Sequence, residues 1–265
     1  MSHYQTITVE NHEGITTLTI NRLEDANAMN LQFSKDFLHA AIQCSADTDL
    51  RAVIITGSGD KMFSAGGDVK SFAKKGAQLT PELKELTVYL HAAIAHFARL
   101  NAPVIMSVNG TAAGAGFSLA MAGDLVIAAE SAKFTMAYTA IGLCPDGAAS
   151  FYLPRIIGLR KTQELLLTNR VLSAQEALEW GLINRVVAKD DLTNETWQLA
   201  QQIAQGPTQA FGEIKRLLRN SYHNSLDTQM EEESQGIVAM GNTPDGQHGI
   251  KAFAEKTKPS FTGKA

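Results

Sequence analysis

Apolar and polar residues follow two different periods in the first part of the chain. Residues 4–20 alternate around a His12-Glu13-Gly14 turn, which predicts two paired strands. Leu31 to Ala46 carries apolar residues at helical spacing, whereas Arg51 to Thr56 is a short run typical of a buried strand. Strands that are joined by helical crossovers predict parallel pairing, so the expected fold class is α/β.

The alternation of strands and helices continues to about residue 187. Pro81 marks the start of a long helix, and Ser173 with Glu176 forms a capping box that opens a later one. We expect a polar loop over 21–30, further loops over 61–68 and 137–150, and a mobile polar segment over 71–80. The other predicted elements are helices over 81–100, 117–122, 159–168 and 174–181, and strands over 103–108, 124–129 and 183–187.

From Leu192 onward every periodic segment is helical. The predicted helices span 192–205, 207–220, 226–240 and 246–256. Their apolar residues need a covering surface, either the core of the same chain or another subunit. We therefore expect two regions, an α/β core over 1–190 and a helical region over 191–265. The apolar residues concerned are Ile214, Leu217, Leu218, Leu226, Met230, Ile237, Met240, Ile250 and Phe253.

The composition of the 265-residue chain disfavours several classes of function. A net charge of −4 gives no electrostatic footprint for nucleic acid. No uninterrupted apolar run reaches membrane-spanning length, and no charged-then-apolar leader opens the sequence. The two cysteines and seven histidines show no metal-ligand spacing, and so few cysteines indicate a reducing compartment. We expect a cytoplasmic protein with no metal centre and no nucleic-acid or membrane partner.

The first chemical signal is a glycine-rich turn between the predicted strand 103–108 and a short buried helix. Thr111 to Gly116 contains only small residues, so a ligand can approach the backbone closely. The helix begins with unpaired N–H groups, which makes the Ala115 amide a candidate oxyanion-hole donor. Two alternatives stay open. One is close helix–strand packing without a ligand, and the other is a dinucleotide site, although the G-x-G-x-x-G that begins at Gly114 lacks its third glycine.

A second turn in the chain has the same organisation. The segment Phe63 to Asp68 follows the predicted strand 51–56, contains Gly66-Gly67, and runs into a helix expected to start at Asp68. Its Gly67 amide would be free to point outward. Two such turns provide a pair of backbone donors, and a pair is what an oxyanion hole needs.

Together these motifs resemble the crotonase (enoyl-CoA hydratase/isomerase) superfamily. The similarity includes the loop NRLEDANAMN, AGGD, NGTAAGAG, PDGA and the SFTGK ending, and so covers nearly the whole chain. The resemblance implies a ClpP/crotonase-like spiral of ββα units and a C-terminal helical region that builds homotrimers or dimers of trimers. It also implies an acyl-CoA thioester as substrate, no separate cofactor, and oxyanion-hole amides at Gly67 and Ala115.

The departures from the family pattern bear on the reaction. Family hydratases carry two glutamates, which would fall at Ser118 and Tyr138, and neither position has a carboxylate. Because ordinary hydroxyls cannot replace both an acid and a base near neutral pH, hydratase activity is disfavoured. Asp146 supplies one carboxylate, at a position where the isomerase branch of the family, which includes epoxyphenylacetyl-CoA isomerases, carries an aspartate. The alternative for Asp146 is a helix N-cap.

Two further functions stay open. The dehalogenase branch, which acts on 4-chlorobenzoyl-CoA, uses this aspartate as a nucleophile with help from a histidine and a tryptophan. His91 matches that histidine, and Tyr138 stands at the tryptophan position, but a polar lining residue of its helix is the favoured interpretation of His91. A chain without the two glutamates could also bind acyl-CoA without catalysis.

We therefore predict an enoyl-CoA isomerase of fatty acid or phenylacetate metabolism, which shifts a 3-enoyl group to the conjugated 2-enoyl form. Asp146 is the expected proton shuttle, and Gly67 and Ala115 are the expected oxyanion donors. Residues 71–80 with Phe72, and the helix 81–100, are expected to wall the acyl pocket. Lys70 could reach a phosphate or remain a solvated surface lysine. The predicted substrate-binding residues are Ala26, Ala28, Ser64, Ala65, Asp68, Lys70, His91, Gly114 and Tyr138.

Overall fold

The computed structural model describes residues 4–264, which contain ten strands and ten α-helices. The strands are β1 (Ile7–His12), β2 (Ile15–Ile20), β3 (Ala52–Gly57), β4 (Met62–Ser64), β5 (Val104–Val108), β6 (Thr111–Ala113), β7 (Leu125–Ala129), β8 (Lys133–Thr135), β9 (Leu172–Ser173) and β10 (Arg185–Val187). The helices are α1 (Leu31–Ala46), α2 (Val69–Phe72), α3 (Leu79–Arg99), α4 (Ala115–Met121), α5 (Ala149–Thr168), α6 (Ala174–Glu179), α7 (Leu192–Ala204), α8 (Thr208–Asn220), α9 (Leu226–Gly241) and α10 (Pro244–Ala254).

The strands form two sheets that share a repeated connection. The larger sheet has the order β1-β2-β3-β5-β7-β10, and the smaller one has the order β4-β6-β8-β9. In each of three successive units the first strand joins the larger sheet, the second joins the smaller sheet, and a helix follows. All pairs are parallel except β1 with β2 and β8 with β9. This spiral of ββα units confirms the α/β fold class expected from the sequence.

The larger sheet is covered on both faces, which explains its continuous apolar strands. On one face Val53 and Val104 belong to the main core, which also contains the stacked rings of Phe33 and Phe37 of α1. On the other face Ile54 and Ile105 lie in a second cluster with residues of α7. Each of β3 and β5 is followed by a short strand of the smaller sheet, β4 or β6, and the glycine-rich turns follow these short strands.

Several predicted boundaries differ from the structure. The strand β4 lies inside the predicted loop 61–68 and is too short to give a periodic signal. Helix α3 begins two residues before Pro81, which still occupies the first turn, where backbone N–H groups have no intrahelical partner. Helix α5 begins at Ala149 instead of residue 159, because a break at Gly158 (φ 78°) divides it and only its second half was predicted. The segment 71–80 contains the end of α2 and a 3-10 turn at Gly76–Gln78.

The C-terminal helices have two kinds of surroundings. Helix α7 folds back onto the larger sheet, where Ala200 is fully buried. Helix α8 is tied to the end of α3, because Lys215 and Arg219 donate to backbone carbonyls of Phe97 and Ala98 respectively. Further along, large apolar side chains of α8, α9 and α10 are exposed, so contact with another subunit stays a prediction. None of the helices within residues 4–264 has the length and apolar character needed to cross a bilayer.

Candidate active site

The turn between β6 and α4 presents an unpaired backbone donor. Gly114 adopts φ 52° and ψ −125°, a backbone conformation that residues other than glycine rarely adopt. Helix α4 begins at the next residue, so the Ala115 N–H lies in the first turn and has no intrahelical acceptor. Every residue of α4 is buried, which holds this amide in place.

The turn after β4 presents a second backbone donor. A parallel bridge joins Met29 to Gly67, in which Met29 N donates to Gly66 O (2.7 Å) and Asp68 N donates to Met29 O (3.0 Å). This pattern engages the carbonyl of Gly66 and the N–H of Asp68, but not the N–H of Gly67. Within residues 4–264 the Gly67 N–H has no hydrogen-bond acceptor.

The two turns touch each other. Gly66 has φ 86°, and a Cβ atom on it would lie 2.6 Å from Ala113 O and 2.9 Å from Ala115 N. Only glycine allows the two backbones to approach this closely. As a result, Gly67 and Ala115 line the same cavity of about 410 Å³.

The walls of this cavity are mainly apolar. Of the residues predicted to wall the acyl pocket, Phe72 and residues of helix α3 line this cavity, whereas Ser71 and residues 73–80 do not. Asp146 is the one carboxylate among its lining residues in the described chain. The other lining residues include Met29, Ala65, Val69, Leu83, Leu86, Thr87, Gly114, Ala137, Tyr138, Ala140, Ile141, Leu143 and Cys144. An apolar cavity with a few convergent polar groups is the usual form of a small-molecule site.

A chain of hydroxyl groups leads to the carboxylate. Tyr138 Oη donates to Asp146 Oδ1 at 2.5 Å, and lies 3.0 Å from Ser118 Oγ. Burial, and then the nearby Asp146 charge, raise the pKa of Tyr138 above its usual range, so its phenol stays a neutral donor. The N-cap alternative for Asp146 is wrong, because α5 is preceded by Ala148 and has no side-chain cap.

His91 contacts the same loop from helix α3. Gly147 N donates to its Nε2 (3.2 Å), so that nitrogen carries no proton in this arrangement. The same Nε2 lies 3.6 Å from Asp146 Oδ2. His91 does not line the first cavity but lines a second one, of about 510 Å³, which also includes Asp146.

The predicted substrate-binding residues fall into two groups. Ala65, Gly114 and Tyr138 line the cavity together with the proposed donors. Ala26 and Ala28 lie in the loop that runs beside the 64–68 turn, where Ala65 N donates to Ala26 O.

The three polar residues of that second region differ in what they can offer a ligand. Ser64 is fully buried, and its hydroxyl donates to the Asn27 carbonyl. Asp68 is largely buried and pairs with Arg22 at 3.0 Å, whereas Lys70 is exposed on α2. Arg22 was not singled out from the sequence, where its only signal was its place in the NRLEDANAMN loop.

Comparison with known proteins decides the family. Residues 10–264 match the family model for enoyl-CoA hydratase/isomerase. The chain belongs to the enoyl-CoA hydratase/isomerase family. It is 38% identical to a 1,2-epoxyphenylacetyl-CoA isomerase from Escherichia coli, over 95% of this chain and 96% of that protein. It is 34% identical to a 4-chlorobenzoyl coenzyme A dehalogenase from Arthrobacter sp., over 94% and 91% of the two chains.

The fold of this family member is equally well matched. A crystal structure of an enoyl-CoA hydratase from Bacillus anthracis superposes with a TM-score of 0.92 and 31% identity, covering 98% of this chain and 100% of that one. The relatives of this chain are therefore named for three different reactions: isomerisation, dehalogenation and hydration. The choice among these reactions has to be argued from the side chains around the cavity.

Proposed function

We propose that this chain is an acyl-CoA isomerase that moves a carbon–carbon double bond from the 3-position of an acyl thioester into conjugation at the 2-position. The observation that carries the proposal is the lining of one cavity by two free backbone donors, Gly67 and Ala115, and by a single carboxylate, Asp146. Two donors and one base are the groups that such a proton shift needs.

The proposed reaction moves one proton between two carbons. Asp146 removes a proton from C2 of the 3-enoyl thioester, and the electrons of that C–H bond pass into the thioester carbonyl. The resulting dienolate oxygen accepts hydrogen bonds from the Gly67 and Ala115 amides, which act in a largely apolar cavity where such bonds are strong. The protonated Asp146 then returns the proton to C4, which leaves the double bond between C2 and C3.

The absence of the second carboxylate supports isomerisation over hydration. The two positions where the family resemblance implies hydratase glutamates are Ser118 and Tyr138. Ser118 is fully buried, and Tyr138 is engaged with Asp146. Addition of water needs groups that activate the water and protonate the other carbon, whereas isomerisation needs one group that does both tasks in turn.

The test is Asp146→Asn, assayed on a panel of CoA esters. A 3-enoyl-CoA, an epoxyphenylacetyl-CoA, a 2-enoyl-CoA and 4-chlorobenzoyl-CoA are supplied side by side. We expect the unaltered protein to convert a 3-enoyl or epoxyphenylacetyl ester, and Asp146→Asn to lower kcat about 100-fold or more, since a positioned acid–base group contributes on this scale. Formation of the conjugated thioester is followed by ultraviolet absorbance.

The control is Asp60→Asn, which removes an exposed carboxylate that pairs with Lys189 far along the chain. This variant should keep the full rate. Normal turnover by Asp146→Asn would refute the proposed shuttle. Saturable binding of CoA esters by the unaltered protein without conversion of any of them would favour a non-catalytic binding protein instead.

Dehalogenation is the second candidate, because His91 and Asp146 are close enough to cooperate. His91 Nε2 lies 3.6 Å from Asp146 Oδ2, and relatives named dehalogenase share 34% of the sequence. Against this, His91 Nε2 already accepts the Gly147 N–H and would have to release it in order to act as a base. Chloride release from 4-chlorobenzoyl-CoA in the same panel would decide for this reaction.

A further inference from the structure

The turn that carries the Gly67 donor is joined to the preceding loop by a ladder of hydrogen bonds. Ala65 N donates to Ala26 O (3.0 Å), Met29 N donates to Gly66 O (2.7 Å), and Asp68 N donates to Met29 O (3.0 Å). The position of Gly67 therefore depends on the 22–29 loop as well as on its own strand. These backbone bonds align the two segments. At the end of the turn, however, the backbone of Asp68 is joined to the loop by one hydrogen bond, from its own N–H to Met29 O.

The side chain of Arg22 provides a second link between the same two segments. Its guanidinium donates to Asp68 Oδ2 at 3.0 Å and to Asp25 Oδ2 at 2.5 Å, and it also donates to the Ala28 carbonyl. The side chains of Arg22 and Asp68 are only 12% and 11% exposed. An ion pair this well shielded is costly to break, because the remaining charge loses its partner in a place with little water.

Asp68 links Arg22 to helix α2, which follows Gly67. Its Oδ1 accepts from Ser71 N and so caps α2, while its Oδ2 accepts from Arg22. The ring of Phe72, at the end of α2, lies over Gly67, since a Cβ atom on this glycine would come within 2.8 Å of Phe72 Cε2. The Asp68 carboxylate thus joins the residue directly after Gly67 to Arg22, and it also caps the helix whose Phe72 ring covers Gly67.

We propose that Arg22 is a positioning residue for the oxyanion hole, which acts through Asp68 to hold the Gly67 N–H toward the thioester oxygen. Arg22 is not among the residues that line the cavity, so its effect on the reaction passes through the turn. The inference rests on the proposed function in so far as it assumes a thioester carbonyl at Gly67 and Ala115. It also couples the 25–28 loop, where the family resemblance implies coenzyme A contacts, to the reacting end of the site.

A spectroscopic experiment tests the inference without any turnover. A chromophoric conjugated thioester, such as dimethylaminocinnamoyl-CoA, absorbs at longer wavelength when hydrogen bonds polarise its carbonyl. We expect the unaltered protein to cause a clear red shift at saturation, Arg22→Gln a much smaller one, and Arg22→Lys an intermediate one, because lysine keeps the charge without the planar fork. The control is Arg185→Gln, which breaks an exposed pair with Glu195 and should keep the full shift.

A kinetic experiment separates positioning from binding. The rate is measured on a CoA ester that the unaltered protein converts and on the matching pantetheine thioester, which lacks the nucleotide. Because a small misplacement of a reacting geometry lowers the rate steeply, Arg22→Gln should lower kcat about tenfold on both esters. A higher KM confined to the CoA ester, with kcat unchanged, would overturn the proposal and make Arg22 a nucleotide-binding residue.

Changing the other partner of the ion pair, Asp68, tests whether the effects of Arg22→Gln come from this pair and not from a folding defect of that variant. Asp68→Asn keeps an oxygen that can cap α2 but loses the charge that attracts Arg22. It should reproduce the effects of Arg22→Gln on red shift and kcat, and the double variant should lose little more than either single one. Losses that multiply in the double variant would refute action through Asp68.

The outcomes also distinguish this inference from the proposed function. A full red shift in the unaltered protein without isomerisation of any ester would refute the reaction but leave the spectroscopic comparison of the arginine variants valid. Absence of a red shift in the unaltered protein would overturn the positioning role, since no polarising donor would then be present to be held.

Discussion

Two walls of the cavity are built by different means. One wall consists of backbone groups at Gly67 and Ala115, placed by strand ends and covered by buried residues such as those of α4. The other wall consists of side chains on the loop between β8 and α5, where residues 139–144 are exposed. Asp146 and Tyr138 lie at the edges of that exposed stretch.

In the proposed reaction the two walls have different tasks: the backbone wall binds the thioester oxygen, and the side-chain wall transfers the proton. Backbone donors are placed by main-chain conformation and by the absence of side chains, so most substitutions cannot remove them. The side-chain wall determines where a proton can go, and a few substitutions there can change it without unfolding the sheet. This division is consistent with relatives on the same fold that are named isomerase, dehalogenase and hydratase.

The backbone wall should be broken most severely by Gly66→Ala. Its new Cβ would meet Ala113 O at 2.6 Å and Ala115 N at 2.9 Å, and φ is 86°. The two turns must then separate, which misplaces both donors together. We expect kcat to fall about 100-fold, since a displacement near 1 Å at the reacting centre has an effect of this order. The same red-shift measurement with dimethylaminocinnamoyl-CoA reports the donors directly.

Gly181→Ala is the matched control for backbone strain. Gly181 has φ 74°, but no heavy atom lies within 4 Å of a Cβ placed there. Both variants force an alanine into a left-handed φ, so both should be destabilised by about 1 kcal/mol from strain alone. Equal rates for the two variants would mean that close approach of the turns does not matter for the reaction.

A milder effect is expected when the side-chain wall loses only the hydrogen bond that supports Asp146, and Tyr138→Phe tests this. The variant removes the donor to Asp146 Oδ1 and leaves the ring in its place. We expect kcat to fall about tenfold, because a hydrogen bond to a charged group is worth about 1.5 kcal/mol at the lower end of its usual range. The red shift of the chromophoric thioester should persist, which would distinguish this wall from the backbone wall.

The pH dependence of Tyr138 can be checked in the same variant. Burial raises the pKa of this phenol above its usual value near 10. A raised folded-state pKa gives stability that is present below the unfolded value and is lost as the pH rises above it. Tyr138→Phe should therefore reduce the loss of unfolding free energy at alkaline pH. Tyr152→Phe should also reduce the alkaline loss, because burial raises the pKa of Tyr152 too, but it should leave kcat unchanged because Tyr152 does not bond Asp146.

The backbone wall was largely predictable from the sequence. Runs of β-branched residues located β3 and β5, and small residues after them indicated the turns that hold Gly67 and Ala115. The helix α1 was predicted with both ends correct, since its apolar spacing starts directly after an Asn30 N-cap. These features depend on local backbone preferences, which a single sequence expresses strongly.

The side-chain wall was predictable only in part. Asp146 came from a family resemblance, and its bond to Tyr138 joins residues eight positions apart in a loop without periodicity. The pair of Arg22 with Asp68 spans 46 positions and leaves no local pattern. Helix α5 was missed over its first half because its Pro154 and the break at Gly158 disrupt helical spacing. Contacts of this kind depend on how distant segments meet.

The smallest expected effect on rate concerns the two cysteines, of which Cys144 lines the cavity and Cys44 does not. Cys144 is exposed and lines the cavity, whereas Cys44 is 5% exposed and burial raises its pKa to about 12. Because the thiolate is the reactive form, iodoacetamide at neutral pH should label Cys144 and leave Cys44 intact. Cys144→Ser should remove the labelling and change kcat little, since this thiol has no part in the proposed proton transfer.

A saturating CoA ester should slow the labelling of Cys144 if the acyl group fills this cavity. Labelling that is indifferent to the ester would place the acyl group elsewhere and would separate the exposed loop from the reaction.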